Sequence, residues 1–491
     1  MGDAIRQRAV KSDFPEINFY DQDLVNLYEC SWAWIRDQWR KGTDANGFTA
    51  RYFCHPATDR INQFEACFST FFLVYSNRTY PVTAQLDTFY QKQEEDGAIR
   101  GEYLIEDGSP VLPRSNPTGA APPLFSWAEF NLYHKLGTKK RLREILPTLE
   151  RHFEWLEATH RKENGLYSVP AAATMMGNSP RDGCYYPVDF NAQQAMNALY
   201  LSAIGDVLND KDTSFKYKRA YFALKTRISQ MMWDDETGFY YDLDRHQQRL
   251  AVRTIGAFWT LLAEIPNEEK SERLIAYLSD ANEFGVEHPF PTLSAAHEAY
   301  SRDGAGYKGS VVPPFNYMVI KGLEKYRLSP AGGKEKGYDL AREFALRHLY
   351  SVLDGLHPEE GAAGSLYEAY APQREGPARW NGKRGFPRQL LMAYTALSTV
   401  SLMIENVVGL FISLPRKTVD WRIPEMEIMG IENLLLKRNL ISILSAKSTR
   451  GWEVRLESEK LYYLTINMLR EERRKTLPIP SGKCSILIDK I

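Results

Sequence analysis

The sequence predicts a mainly α fold: a double ring of helices, a toroid, with a small β-rich appendage at its C-terminal end. Three observations predict it. Apolar residues recur at helical spacing in about twelve segments of the first 410 residues. The connections between those segments alternate between long and very short. Near residue 411 the pattern changes to short β-branched and aromatic runs that approximately alternate.

The helical segments run over about 19–41, 60–77, 79–94, 121–136, 139–160, 189–209, 213–233, 252–265, 269–279, 312–327, 336–353 and 388–408. Long loops follow every odd-numbered one, at about 42–59, 95–120, 161–188, 234–251, 280–311 and 354–387. The links after the even-numbered ones are mostly tight, as at Asn77-Arg78 and Gly137-Thr138. Helices joined by short links run antiparallel, so every second connection falls at the same end. All the long loops therefore crowd one face, and long ordered loops in a compact domain usually carry function. Ala331-Gly332-Gly333 marks a short surface loop.

After 411 the candidate strands are 411–415, Trp421-Arg422-Ile423 before Pro424, 439–444, 452–456, 461–469 and 484–488. Trp452, Val454 and Leu456 face one side, with Glu453, Arg455 and Glu457 on the other. The charge run at 470–475 reads as a solvated turn. The expected division is a helical unit over 1–410 that carries the site and a structural β-rich subdomain over 411–491.

Composition narrows the function. With 61 basic and 62 acidic residues the net charge is -1, so no nucleic-acid partner is expected. Five scattered cysteines without a CxxC argue against a disulfide framework and against zinc. No pattern suggests a metal or an organic cofactor. No run of about twenty apolar residues exists, so no membrane span is expected. The first nineteen residues lack the apolar core of a signal peptide, and Arg6 stands where a myristoylation signal needs Ser or Thr. As written the chain reads as cytoplasmic; a trimmed N-terminus would leave periplasmic or secreted placement open. Aromatics make up 12 % of the residues, enough for a core and for stacking on sugar rings.

Several constellations fall at the loop-rich end. Glu368 lies between Tyr367 and Tyr370 in a Gly-rich loop, a setting that can tune a carboxylate, with Arg379 and Trp380 downstream. Met176-Gly177-Asn178-Ser179-Pro180-Arg181-Asp182 forms a Pro-fixed turn whose Asn178 and Arg181 suit hydroxyl groups. Asp189 is the expected N-cap of the next helix. Phe64-Glu65 opens the second helix, Glu102 follows the third, Trp127 and Glu129 begin the fourth, and Lys308 precedes the tenth. Acids for proton transfer, rings for stacking and amides for hydroxyls are what a sugar site requires.

Together these segments resemble the (α/α)6-barrel glycoside hydrolases of the trehalase, processing α-glucosidase and mannosylglycerate hydrolase type. The similarity spans most of 20–410. The family's Trp-Asp is matched by Phe64-Glu65, its Gly-x-Ile-Pro-x-Glu by 97–102, and its Pro-Pro-x-Phe-x-Trp by 122–127. Its Gly-Met-Asp-Asn-Ser-Pro-Arg and Val-Asp-Leu-Asn-Ala are matched by 175–181 and 188–192. Its Trp-Arg-Gly stretch aligns with Tyr307-Lys308-Gly309, and its Trp-Glu-x-Tyr-x-Pro with 367–372. The resemblance implies inverting hydrolysis of an α-glucoside or α-mannoside, with Glu368 as general base. The family's general acid falls on Gly177, its Arg on Lys308, and its early Asp on Glu65. Asp182, five residues on, is the nearest carboxylate that can replace the acid, with Glu65, Glu102 and Glu129 as rivals. The alternatives are a carbohydrate-binding relative that has lost its acid, or another reaction at the same site, such as phosphorolysis. The sequence does not set the oligomeric state.

Overall fold

The computed structural model describes residues 13–113, 116, 119–326, 336–356, 364–380 and 386–488. The loop expected at 331–333 and the N-terminal residues 1–12 lie outside them. Among the described residues there are twelve α-helices: α1 (Gln22–Ile35), α2 (Gln63–Leu73), α3 (Ala84–Tyr90), α4 (Phe125–Leu136), α5 (Lys139–His160), α6 (Val188–Leu208), α7 (Lys211–Met231), α8 (Trp259–Leu262), α9 (Glu268–Ser279), α10 (Pro313–Leu323), α11 (Lys336–Asp354) and α12 (Met392–Ala396). A π-helical stretch, Leu397–Val407, continues α12.

Every anticipated helical segment holds one of these helices; α5 matches its bounds, α6, α7, α9 and α11 differ by one or two residues, and the others are shorter. The first is shorter than 19–41 because Asp21 caps it, its side chain accepting from the amides of Asp23 (3.0 Å) and Leu24 (3.4 Å). Residues on either side become strands β1 (Glu16–Phe19) and β2 (Trp39–Lys41). The eighth opens with a 3-10 turn, Ile255–Phe258, before α8.

Burial sorts the helices into two classes. Every side chain of α10 and of the π-helical stretch is buried, and in α2 all but Glu65 are. Helices buried on every side belong inside a fold. By contrast α5 buries Leu142, Ile145, Leu146, Leu149, Phe153 and Leu156 on one face. Each even-numbered helix packs on the next, from α2 through α4, α6, α8 and α10 to α12, and α12 returns to α2. Odd-numbered neighbours lie against them: α3 on α2, α5 on α4 and α6, α7 on α6, and α11 on α10.

Aromatic rings fill the space between the even-numbered helices. Phe64 and Phe68 stand 4.7 Å apart, Phe71 and Trp127 4.5 Å, and Phe71 and Tyr317 5.4 Å. Below them lies a buried polar cluster. Glu405 accepts from the Tyr75 hydroxyl (2.6 Å), the Tyr317 hydroxyl (3.1 Å), Lys135 (3.1 Å) and Lys321 (2.9 Å). Lys321 also meets Glu324 at 2.9 Å. Two ammoniums thus balance two carboxylates away from water.

The long loops bridge to one another around the opposite end. The remaining short strands of the helical unit are β3 (Arg51–Phe53), β4 (Arg60–Asn62), β5 (Glu102–Leu104), β6 (Trp233–Asp234) and β7 (Phe239–Tyr240). Strand β4 joins β5. Single antiparallel bridges link Tyr186 to Leu243, Thr254 to Leu293, and Val311 to Tyr370. His55 Nε2 contacts the Gln389 carbonyl at 2.8 Å.

The C-terminal region is two sheets built from β8 (Leu410–Ser413), β9 (Thr418–Ile423), β10 (Met429–Leu436), β11 (Asn439–Ser448), β12 (Gly451–Ser458), β13 (Tyr462–Met468), β14 (Arg473–Ile479) and β15 (Gly482–Leu487). Their orders are β1-β10-β11-β12-β15 and β14-β13-β9-β8. Two strands correct the sequence reading. β10 was hidden by a bulge between Ile431 and Leu434, where Asn433 adopts φ 57°. The charge run expected as a solvated turn instead leads into β14, an edge strand whose Arg474 and Lys475 stay exposed. Charges along an edge discourage pairing with another chain. Among the described residues no helix is long and apolar enough to cross a membrane.

The Glu405 cluster sets a pH dependence. Burial alone would raise its carboxyl, but Lys135 and Lys321 outweigh that and hold it at about 2. A folded value below the unfolded one stabilises the protein above the unfolded value near 4.5, and that stabilisation is lost as pH falls toward 2. Glu405→Gln should cost about 3 kcal/mol at neutral pH. In denaturant titrations the gap to wild type should narrow as pH drops from 5 toward 2; a pH-independent gap would count against this assignment.

Candidate active site

The site begins with the cap of α2. Asn62 Oδ1 accepts from the amides of Phe64 (2.8 Å) and Glu65 (3.3 Å), which sets Glu65 on the first turn. Glu368 comes from the loop before α12, and its backbone N–H donates to the Arg388 carbonyl at 2.9 Å. Arg388 answers with two donors to one oxygen, its backbone N–H (3.0 Å) and Nε (2.5 Å) to Glu368 Oε2. Its Nη2 donates to Glu65 Oε1 at 3.0 Å. One guanidinium thus joins the two carboxylates. Arg388 is the candidate-site residue that sequence reasoning missed. It lies 20 residues from Glu368 and 323 from Glu65, and no local pattern marks it.

Electrostatics follow from this bridge. Burial raises the Glu65 carboxyl, and Arg388 opposes the rise. Burial alone would lower Arg388, but Glu65 and Glu368 keep it firmly charged. The hydroxyls of Tyr307 and Tyr394 are pushed up, first by burial and then by these carboxylates, so both remain neutral donors. Among the described residues Glu368 Oε1 takes no hydrogen bond. Beside Glu65 lies a small cavity of about 20 Å³ lined also by Gln38, Tyr52, His55 and Gln85. Gln38 Oε1, the Tyr52 hydroxyl and Gln85 Nε2 are buried there without a partner among the described residues, a setting for ordered water.

The turn at 176–184 is anchored by Arg181. Its Nη1 donates to Asp189 Oδ2 (2.8 Å) and Thr174 Oγ1 (2.9 Å). Its Nη2 donates to Asp189 Oδ1 (2.9 Å) and Asp242 Oδ1 (2.8 Å), and its Nε to Asp242 Oδ2 (2.7 Å). All five N–H donors are spent, so Arg181 holds the wall and has none left for a sugar hydroxyl. Asp189 falls inside the first turn of α6, after Pro187, and binds Arg181 rather than capping the helix. Asn178 donates to the Ala305 carbonyl (3.1 Å) and accepts from the Tyr307 amide (2.7 Å). Gly306 permits that approach, since a Cβ there would come within 2.6 Å of the Asn178 amide. At Gly177 a Cβ would meet nothing within 4 Å. Asp182 is exposed, and Lys308 is half-buried.

The other sequence candidates are placed variously. Phe64 is buried under the carboxylates, 6.4 Å from the Tyr394 ring. Glu102 is half-buried and accepts from Asn62 Nδ2 at 2.9 Å, which keeps it beside the α2 cap. Trp127 lies deeper, against Phe71 and Trp259, as packing. Glu129 is fully buried in an ion pair with Arg141 (2.6 Å) and a hydrogen bond from Tyr90 (3.0 Å), withdrawn from the mouth. Arg379 is exposed, and its backbone N–H donates to the Asp303 carbonyl at 2.7 Å. Trp380 packs edge-on against Phe386 at 5.4 Å. Glu65, Glu368, Phe64 and Asn178 thus share one end, with Glu102 beside them. Arg181, Glu129 and Trp127 are structural by geometry.

Residues 77–386 match the family described as the mannosylglycerate hydrolase MGH1-like glycoside hydrolase domain. The chain belongs to this glycoside hydrolase family. Residues 409–491 match the trehalase C-terminal domain. An uncharacterized protein of Borreliella burgdorferi is 47% identical over 485 residues, covering 98% of this chain and all of that one. Among solved structures, a family 63 mannosylglycerate hydrolase from Thermus thermophilus in complex with glucose has a TM-score of 0.58 at 17% identity, over 76% of this chain and 99% of that one. The neutral trehalase of Saccharomyces cerevisiae has a TM-score of 0.53 at 13% identity, over 72% and 73%. A sialidase reaches 0.68 at 16% identity over 91% of this chain, which spans only 40% of the sialidase's length. At these identities the structures speak to fold.

The Arg388 bridge makes a direct prediction. Arg388→Met removes the cation that opposes burial at Glu65, so the Glu65 titration should move further up. Carboxyl carbon NMR on selectively labelled glutamate reads this directly, and an unmoved Glu65 resonance would argue against the contact.

Proposed function

We propose that the chain is an inverting hydrolase of an α-glucoside or α-mannoside. In this reading the twelve helices form an (α/α)6 toroid over 1–410, and 411–491 is a separate β-rich subdomain. The closed cycle of contacts from α2 to α12 supports the toroid. The family matches, which end at 386 and resume at 409, support the division.

The observation that carries the mechanism is the state of Glu368. Arg388 occupies Oε2 twice, which fixes the carboxylate and leaves Oε1 free to hold a water. A carboxylate so placed acts as general base, taking a proton from that water as its oxygen attacks the anomeric carbon. Arg388 is then a positioning residue, acting through Glu368. Glu65, Glu102 and Asn178 are the polar groups available to sugar hydroxyls, and Phe64 forms an apolar floor. Where the leaving group needs a proton, Asp182 is the assigned donor, exposed on the turn that Arg181 anchors.

A second reading is favoured by one specific observation: Gly177 leaves open space where the resemblance places the general acid. In that reading the pocket binds a carbohydrate without cleaving it.

Glu368→Gln should lower turnover roughly a thousandfold while leaving sugar binding nearly intact, since it removes proton affinity but keeps size. Asp182→Asn should slow alkyl glycosides far more than activated aryl glycosides; equal losses would remove Asp182 as the donor. If the wild type binds sugars yet cleaves none, activated ones included, the second reading holds.

A further inference from the structure

We propose that a cavity at the rim of the mouth, walled by the loops after α3 and α5, is a second carbohydrate site that holds a neutral sugar unit against the edge of Trp155. The proposal rests on the carbohydrate part of the function above and not on Glu368 as base. Size, polarity and position carry it.

The cavity has a volume of about 660 Å³, within the range of about 300–1,000 Å³ typical of small-molecule sites. Its floor is Trp155, in the last turns of α5 and only 7 % exposed. The ring itself is packed: it stacks on His152 at 5.6 Å, with the Arg100 guanidinium over it at 5.5 Å. What it leaves for a ligand is the indole N–H, which has no acceptor among the described residues. A donor on a side chain this buried needs a partner from water or from a ligand. Ser168 and Tyr185, both half-buried, line the same cavity, and their hydroxyls make no hydrogen bond among the described residues. Burial keeps the His160 imidazole neutral, so it adds an acceptor as well as a donor. The charges in the lining are matched. Arg100 donates Nε and Nη2 to the two oxygens of Glu94, at 3.1 Å each. Lys162 and Asp96, both exposed, carry opposite signs. The lining thus favours neither an anion nor a cation, and its unpaired donors and hydroxyls suit a ligand rich in hydroxyl groups.

Both walls run on to the cap of α2. On one side Arg100 leads to Gly101, whose carbonyl accepts from Gln63 N–H at 2.8 Å, and to Glu102, which accepts from Asn62 Nδ2 at 2.9 Å. On the other, Pro170 leads through the 3-10 turn Ala171–Thr174 to Met175, whose Sδ stands 4.0 Å from Asn62 Nδ2. The cavity therefore adjoins the segment that carries Glu65, yet none of its lining residues belongs to α2 or to the Glu368 loop. A sugar held here is a further unit of a chain bound at Glu368 or a separate molecule, and the recognition chemistry is the same for both.

The test uses the full chain carrying Glu368→Gln, so that no sugar is consumed. The probes are glucose, mannose and short α-linked gluco- and manno-oligosaccharides. Indole N–H resonances of the ten tryptophans are followed by NMR, the Trp155 signal being the one lost in Trp155→Phe. That signal should shift and saturate with at least one probe at about 10 mM or below. Ser168→Tyr, which puts a ring into the cavity, should weaken the binding read at Trp155 at least about tenfold, and Tyr185→Phe about fivefold. Unmoved signals from the other tryptophans report that each variant is folded. A shift that needs an oligosaccharide and weakens with Glu65→Ala supports the site and makes its sugar part of the chain bound at Glu368. A shift that monosaccharides produce equally, untouched by Glu65→Ala, supports the site and makes its sugar a separate molecule. A silent Trp155 signal overturns the proposal, as does a shift that ethylene glycol reproduces at equal concentration or that Ser168→Tyr leaves intact. Turnover by the wild type beside a silent Trp155 removes this site and leaves Glu368 as base. A saturating Trp155 shift in a chain that cleaves nothing keeps the site and removes the hydrolase.

Discussion

The buried fork of Arg181 between Asp189 and Asp242 is the constraint on which the mouth depends. It ties three separate segments: the turn at 176–184, the first turn of α6 and the loop after β7. Such a cluster stabilises only when every donor and acceptor is satisfied, as here. Its effect travels outward by contact. The fixed turn sets Asn178, and Asn178 sets the backbone of 305–307. That segment carries Tyr307, whose ring faces Phe315 at 6.4 Å and whose hydroxyl is pushed up by burial and then by Glu368. The arginine thus shapes the site without reaching it.

The protein divides its buried acids into those that build and those left free to react. Glu129 and Glu405 are saturated by cations and hydroxyls, which removes them from chemistry. Among the described residues Glu368 is tied through one oxygen, Oε2. The number of lone pairs left over, more than depth of burial, separates the two kinds. Glu129, at 0 % exposure, and Glu368, at 8 %, are both buried by any ordinary standard.

The helical part of the fold was legible because period and connection length are local signals. The twelve segments could be counted before any contact was known. The π-helical form of Leu397–Val407 was not legible, since the apolar spacing that marked 388–408 as helical does not tell a π from an α winding. β10 and β14 were lost to a bulge and to charge, two devices that disguise strands. Within the site, the motifs brought attention to Glu65, Glu368 and the 176–182 turn. They could not show that Arg181 faces inward or that Arg388 stands between two glutamates. Those facts are set by side-chain direction and by partners hundreds of residues away.

Strand β1 lies at the N-terminal edge of the described chain, yet it is built into the C-terminal sheet, with Glu16 opposite Glu432 and Phe19 opposite Met429. This gives the molecule a temporal order. A ribosome releases residues 16–19 more than four hundred residues before their partners exist. Until then the segment has no sheet to join, and the first helix hangs from an unsatisfied strand. Pairings this distant in sequence carry the largest loop-closure cost and form late. The β-rich region therefore works as a clasp. It closes over residues 16–19 only after residues 429–432 have been made, so a chain ended before them leaves an open strand exposed to aggregation.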